Sequence, residues 1–185
     1  MVSAGFRRTR RGTVVRFTPG EADVLAHLVE QLLDLLGAED EPDEDADPLA
    51  TLTGLTDGPL SAPADPALAR LLPDAYLDDA DRAAEFRRFT EDDLRSGKRE
   101  AAHTMLATLP RDGQEATLDA DEAARWLSAL NDLRLALGTR LAVTEDTYTE
   151  LEDAADADPD DPRVQALSIY VWLGYLQESL IRAMS

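Results

Sequence analysis

The 185-residue sequence contains no cysteine. That excludes disulfides, thiolate nucleophiles, iron–sulfur ligation and cysteine-type zinc sites, and with them any sensing by thiol oxidation. Histidine is nearly as scarce. Only His27 and His103 occur, and neither has a second ligand three or four residues away, so packing or surface roles account for both more simply than metal binding or general-base work. Positive charge is also short. Lys and Arg number 18 against 38 Asp and Glu, a formal net charge of -20 at pH 7. A protein that coats nucleic acid with its whole surface is thereby excluded, although a local basic contact is not. Long apolar runs are missing too. The longest uncharged stretch, Val164 to Gln177, has 14 residues, short of the ~18 that a membrane-spanning helix requires. Met1 to Arg11 is basic but lacks an apolar segment, so no secretory leader is expected. A cytoplasmic protein without membrane attachment is the expectation.

Signatures of catalysis are absent as well. There is no G-x-S-x-G, G-x-G-x-x-G or P-loop pattern. In so acidic a chain, carboxylates near one another in sequence are no sign of an acid–base dyad. Asp156, Asp158 and Asp160 copy the start of a calcium loop, but the sixth position is Asp161 where glycine is needed and the twelfth is Leu167 where glutamate is needed. The expectation is a non-enzymatic protein with no metal and no cofactor.

What is present is mainly helical. Two short β-prone runs flank Arg10-Arg11-Gly12, and Gly12 can supply the positive φ of a tight turn, so residues 1–17 read as a β-hairpin that must pack on helices to persist. Thr18-Pro19-Gly20-Glu21 is a capping box with proline in the first turn, and Leu25, Leu28, Leu32 and Leu35 follow at helical spacing to Gly37. Glu39 to Asp47 holds seven acids in nine residues, and 38–66 reads as an acidic flexible loop. A short helix is expected over 67–72. Residues 79–109 are helical in pattern, with Thr90 and Asp93 suggesting a second N-cap and hence a break near residue 90. Pro110 to Gly113 reads as a turn. Asp119 with Glu122 opens another helix, striped by Trp126, Leu130, Leu133 and Leu137 and ended by Gly138. Glu145 to Asp161 carries nine acids and no base, a second acidic loop. Asp161-Pro162 starts a last helix to about Ala183, apolar nearly all round at Ile169 to Leu176, which places it at the centre of a core or in a subunit interface. The predicted architecture is a mainly α, single-domain helical bundle over 1–185, with a small N-terminal β-hairpin, a first helix at 18–37 and a helical core at 67–185.

Against so large an acid excess, the arginines are the informative residues. Arg7, Arg8, Arg10, Arg11 and Arg16 lie in or beside the hairpin, with no acid nearer than Glu21. A second group on the middle helices includes Arg87, Arg88, Lys98 and Arg99, interspersed with Glu85, Glu91, Asp92, Asp93 and Glu100, so internal pairing competes with an anion-contacting role there. The candidate partner-binding residues are Arg7, Arg8, Arg10, Arg11, Arg87, Arg88, Lys98 and Arg99. Strand alternation places Arg8 and Arg10 on one side of the hairpin and Arg7 and Arg11 on the other. Trp126, Trp172, Tyr170 and Tyr175, spaced among Leu, Ile and Val, read as core rather than as an exposed hot spot.

Three strings carry a resemblance: Phe6-Arg-Arg-Thr through Val15-Arg-Phe17, the Glu21 to Leu36 helix, and Trp172-Leu-Gly-Tyr-Leu-Gln-Glu-Ser-Leu180. Together they resemble an actinobacterial family long classed as a domain of unknown function, one branch of which is described as the oxidative-stress transcriptional regulator AosR. The resemblance covers nearly the whole chain. It implies a cytoplasmic regulator that works with a stress sigma factor at promoters. In that branch sensing is attributed to a cysteine pair, which has no counterpart here. Family members are also often encoded near a protease adaptor, which implies the alternative of an adaptor or scaffold linked to regulated proteolysis, without DNA contact. Protein partners (a sigma factor or a protease component), direct DNA contact and homo-oligomerisation all remain open on the sequence.

Overall fold

A computed structural model describes residues 5–37, 62–76, 78–111, 113–147, 158 and 160–185. Among them are five helices and a small antiparallel sheet, so the chain is mainly α. Strands β1 (Arg7–Thr9) and β2 (Gly12–Arg16) form the expected hairpin, joined by Arg10 and Arg11. The Thr9 hydroxyl fixes the turn by donating to the Gly12 carbonyl at 2.8 Å and accepting from the Arg11 amide at 3.2 Å. Gly12 has φ +135°, and a Cβ there would lie 2.3 Å from the Leu118 carbonyl oxygen. Only glycine fits, because a third strand runs against it.

That strand, β3 (Glu115–Leu118), corrects the sequence reading, which has only a turn in this region. Its four residues Glu-Ala-Thr-Leu carry no apolar run, and only Leu118 is fully buried. Pairing with β2 (Thr13 with Leu118, Arg16 with Glu115) makes the strand, giving the order β1-β2-β3.

Helix α1 (Pro19–Leu36) begins with the predicted box: the Thr18 hydroxyl accepts from the Glu21 amide and the Glu21 carboxylate accepts from the Thr18 amide. Helix α2 (Pro66–Leu71) starts one residue earlier than expected, with Asp65 accepting from the amides of Ala67 and Leu68. The rest of the two acidic segments, 38–61 and 148–157, lies outside the described residues. Helix α3 (Ala80–Thr108) runs unbroken for 29 residues. The expected break near 90 does not occur: the Thr90 hydroxyl donates back to the Phe86 carbonyl at 2.9 Å, an intrahelical bond instead of a cap. Helix α4 (Ala120–Arg140) opens on the Asp119–Glu122 box and continues two residues past Gly138. Helix α5 spans Pro162–Met184.

The central helix is α4, which packs against α1, α2, α3, α5 and the sheet. This too corrects the expectation, which centred the core on the last helix. Helix α5 buries Leu173, Leu176 and Leu180 but leaves Trp172 half-buried and Tyr175 and Ile181 exposed. At the centre the Trp126 ring stacks on Phe17 (centroids 6.1 Å, planes 5° apart) and meets the edge of Phe6 at 5.6 Å. Its indole N–H donates to the Thr108 hydroxyl at 2.7 Å. A buried Trp with its one donor satisfied is a strong anchor for strand, helix and helix together. The hairpin is tied to α5 by the Phe6 amide, which donates to the Ser179 hydroxyl at 3.1 Å. Gly5 (φ +66°) is needed for that approach, since a Cβ would meet the Ser179 and Tyr175 oxygens at 2.9 and 3.0 Å.

Candidate interaction surface

The hairpin places its four candidate arginines on an exposed tip. Arg7, on β1, reaches across β2 to Glu115 on β3, Nη2 to Oε2 at 2.9 Å. Arg8 follows on the same strand, beside Thr13, Leu118 and the start of α4. Arg10 and Arg11 form the turn itself and are exposed. Among the described residues, Arg8, Arg10 and Arg11 have no ion-pair partner, whereas Arg7 has one. Arg10 and Arg11 thus occupy the turn, while Arg8 stays on β1 opposite Thr13, in a groove with Leu118, Asp119 and Ala120.

The second group fares differently. Arg87 is buried, its side chain only 5% exposed, and its Nη1 donates to the Leu72 carbonyl at 3.3 Å and to Glu91 Oε2 at 2.6 Å. Its Nη2 donates to Asp74. Burial disfavours the guanidinium charge, but the hydrogen bonds and charges of Glu91 and Asp74 outweigh it and hold the pKa above the ordinary arginine value. Glu91 serves two arginines, because its other oxygen accepts from Arg95 at 2.7 Å, and Arg95 also donates to the Leu36 carbonyl at the end of α1. Lys98 donates to Asp132 of α4 at 2.7 Å, and Asp132 is 2% exposed. Burial raises the Asp132 pKa, opposed by the Lys98 hydrogen bond and charge, and its Oδ2 has no partner. Arg87 and Lys98 are thus internal ties between α3 and its neighbours. Arg88 lies over the Phe89 ring at 5.8 Å, and Arg99 is half-buried. Neither has an ion-pair partner among the described residues.

The two groups do not form one surface. The hairpin packs on α5 and β3, and α3 packs on α1 and α4. Sequence reasoning missed Asp132 and the exposed Phe86 and Phe89. A carboxylate four residues before an apolar position on a striped helix, and two phenylalanines within an otherwise charged stretch, were the available signals.

Among the described residues no three His, Asp or Glu side chains converge as metal ligands. His27 hydrogen-bonds Gln31 at 2.9 Å, one helical turn on, and His103 is exposed. A groove of about 530 Å³ between α1 and α4 is walled by Leu28, Leu32, Leu35, Leu133 and Leu137, with Gln31, Asp34 and Arg140 also lining it. No helix among the described residues is long and apolar enough to cross a membrane.

Comparison with known proteins bears on these surfaces. The family described as Domain of unknown function (DUF2017) matches residues 3–184. The oxidative stress regulator AosR of Mycobacterium tuberculosis (strain ATCC 25618 / H37Rv) is 34% identical over 188 residues, covering 94% of this chain and 83% of that protein. The oxidative stress regulator AosR of Mycobacterium bovis (strain ATCC BAA-935 / AF2122/97) matches to the same degree. A protein of Mycobacterium leprae (strain TN) named for the same regulator is 35% identical over 179 residues, 90% of this chain and 79% of that protein. No solved structure matches.

Proposed function

The chain belongs to the DUF2017 family, and on that premise we propose that it is a non-enzymatic regulatory protein that captures an acidic protein partner through Arg8, Arg10 and Arg11. The names of the mycobacterial relatives support a regulatory role in oxidative stress. The observation that carries the mode of action is the hairpin, where three arginines have no ion-pair partner among the described residues on a molecule of formal charge -20. Guanidinium groups left without internal carboxylates are the ones available to fork onto carboxylates of a partner.

A sigma factor is the partner the reading favours, with a protease component as the alternative. Direct DNA binding fits less well. A phosphate lattice laid across the hairpin brings surrounding surface acids within the screening length of about 8 Å at physiological salt and is repelled there, while a compact protein contact needs only the hairpin. Because these residues contain no thiol, the signal reaches the protein by a route other than disulfide formation, such as the level or state of the partner.

The experiment is capture from a native lysate by the full chain and by an Arg8→Ser, Arg10→Ser, Arg11→Ser variant, with the retained proteins identified by mass spectrometry. Arg7 stays untouched because it holds Glu115. Retention of a transcription or proteolysis component by the wild type, lost in the variant at unchanged unfolding midpoint, supports the proposal. Equal retention by both refutes it.

A further inference from the structure

We infer that the N-terminal half of α3 carries a second docking surface, separate from the hairpin, for a cationic amphipathic segment of a partner protein. Helix α3 buries Ala83, Arg87, Ala101, Ala102 and Met105, and no residue from 88 to 100 is fully buried. Four of the exposed large apolar side chains of the described residues lie at this end: Tyr76, Phe86, Phe89 and Leu94. Phe86 is 45% exposed and Phe89 59%. One exposed Phe is ordinary, but Phe89 stands one turn from Phe86, against which Tyr76 packs, while Leu94 lies on another side of the helix from Phe89, and three such side chains on one ridge mark a surface that has something to cover it.

The ridge is built rigidly. Tyr76 packs edge-on against Phe86, centroids 6.1 Å apart, and the Arg82 guanidinium lies 4.2 Å from the Tyr76 centroid. The segment that carries Tyr76 is held to α3 by Arg87, through the Leu72 carbonyl and Asp74. Aromatic side chains already fixed in place lose little freedom on binding, which is what interface anchors require.

Charge selects the occupant. Glu85, Asp92 and Asp93 stand at i-4, i+3 and i+4 from Phe89, the positions that surround it on a helix. All three are exposed and have no ion-pair partner among the described residues. Unpaired carboxylates at these spacings repel one another, and only Arg82 and Arg88 interrupt them. A partner presenting Lys or Arg around apolar anchors relieves that repulsion while it covers the rings. Nucleic acid and an anionic membrane would add to the repulsion instead. A helix with apolar residues at i, i+3 or i+4 and i+7, flanked by lysines, has the matching pattern.

The test uses the full chain and two synthetic helical peptides of identical apolar pattern, one with lysines and one with glutamates on the polar positions. The lysine peptide should bind, and Phe86→Ser with Phe89→Ser should weaken it by about tenfold or more. Glu85→Gln, Asp92→Asn and Asp93→Asn should remove most of the salt dependence. The glutamate peptide should not bind. Non-specific attraction to a -20 protein would leave the phenylalanine variant within about twofold of wild type, and that result overturns the inference. So does equal binding of the glutamate peptide. Self-association of the wild type in sedimentation, abolished by the phenylalanine substitutions, would assign the ridge to a second copy and overturn it as well. The Arg8→Ser, Arg10→Ser, Arg11→Ser variant should bind the lysine peptide as wild type does, so the two surfaces fail or stand separately.

Discussion

Arginines of the hairpin and cations of α3 look alike in the sequence and do opposite things in the fold. Arg8, Arg10 and Arg11 are exposed and have no ion-pair partner among the described residues, whereas Arg87 is buried, Lys98 is largely covered, and both are ion-paired. The difference lies in what surrounds each residue in the chain. Helix α3 supplies Glu91 one turn from both Arg87 and Arg95, and the segment before it supplies Asp74. The hairpin contributes no acid of its own, and β3 lends it only Glu115, which goes to Arg7. Arg87, Arg95 and Lys98, which the fold brings against an acid, become part of the architecture, whereas nearby acids in sequence do not suffice, since Arg88 and Arg99 have no ion-pair partner among the described residues.

The comparison can be broken from the buried side first. Arg87→Ala should cost about 3–5 kcal/mol, because it empties a buried position, frees the Leu72–Asp74 segment from α3 and leaves the largely buried Glu91 with Arg95 alone. Chemical unfolding measures it, and a loss near zero would mean the network is ornamental. Lys98→Met should cost somewhat less, about 3 kcal/mol at neutral pH, because Asp132 can answer by taking up a proton. The direction with pH follows from that proton. Burial raises the Asp132 pKa in the folded state, opposed by Lys98, so an uncharged Asp132 favours the fold and its benefit is lost as pH rises through the folded pKa. Removing Lys98 takes away the opposing cause. The deficit of the variant relative to wild type should therefore shrink on acidification toward the carboxylate range, and a deficit that grows there would contradict the assignment.

On the exposed side the effects should be small. Arg7→Ser removes a solvent-exposed ion pair, and double-mutant cycles with Glu115 should give about 0.2–1 kcal/mol. The Arg8→Ser, Arg10→Ser, Arg11→Ser variant should unfold within about 0.5 kcal/mol of wild type. A larger loss would show that these side chains support the hairpin.

Much of this was legible before the fold was known. The hairpin, the Thr18 and Asp119 capping boxes and the Asp161-Pro162 helix start are local signals, made by residues within three or four positions of one another, and all four appear in place. The illegible parts depend on distant partners. Strand β3 exists because β2 offers it an edge. Thr90 reads as a cap or as an i-4 donor on the same local sequence, and packing of α3 along α1 and α4 settles it as a donor. Helix α4 looks less suited to a core centre than α5, since it carries Asp132 and Arg134 on faces that end up covered. Lys98 and Gln177, 34 and 43 residues away, make those positions tolerable. The site divided in the same way. Unpaired hairpin arginines could be read from the absence of nearby acid, while the fate of Lys98 rested on an aspartate in another helix.

The central claim is that the free hairpin arginines, not the α3 cations, face the partner. The most direct measurement is capture by the full chain before and after Arg8→Ser, Arg10→Ser and Arg11→Ser, with stability recorded on the same preparations. The account predicts that capture is lost while the unfolding midpoint holds. Capture that survives the three substitutions at full strength would contradict it.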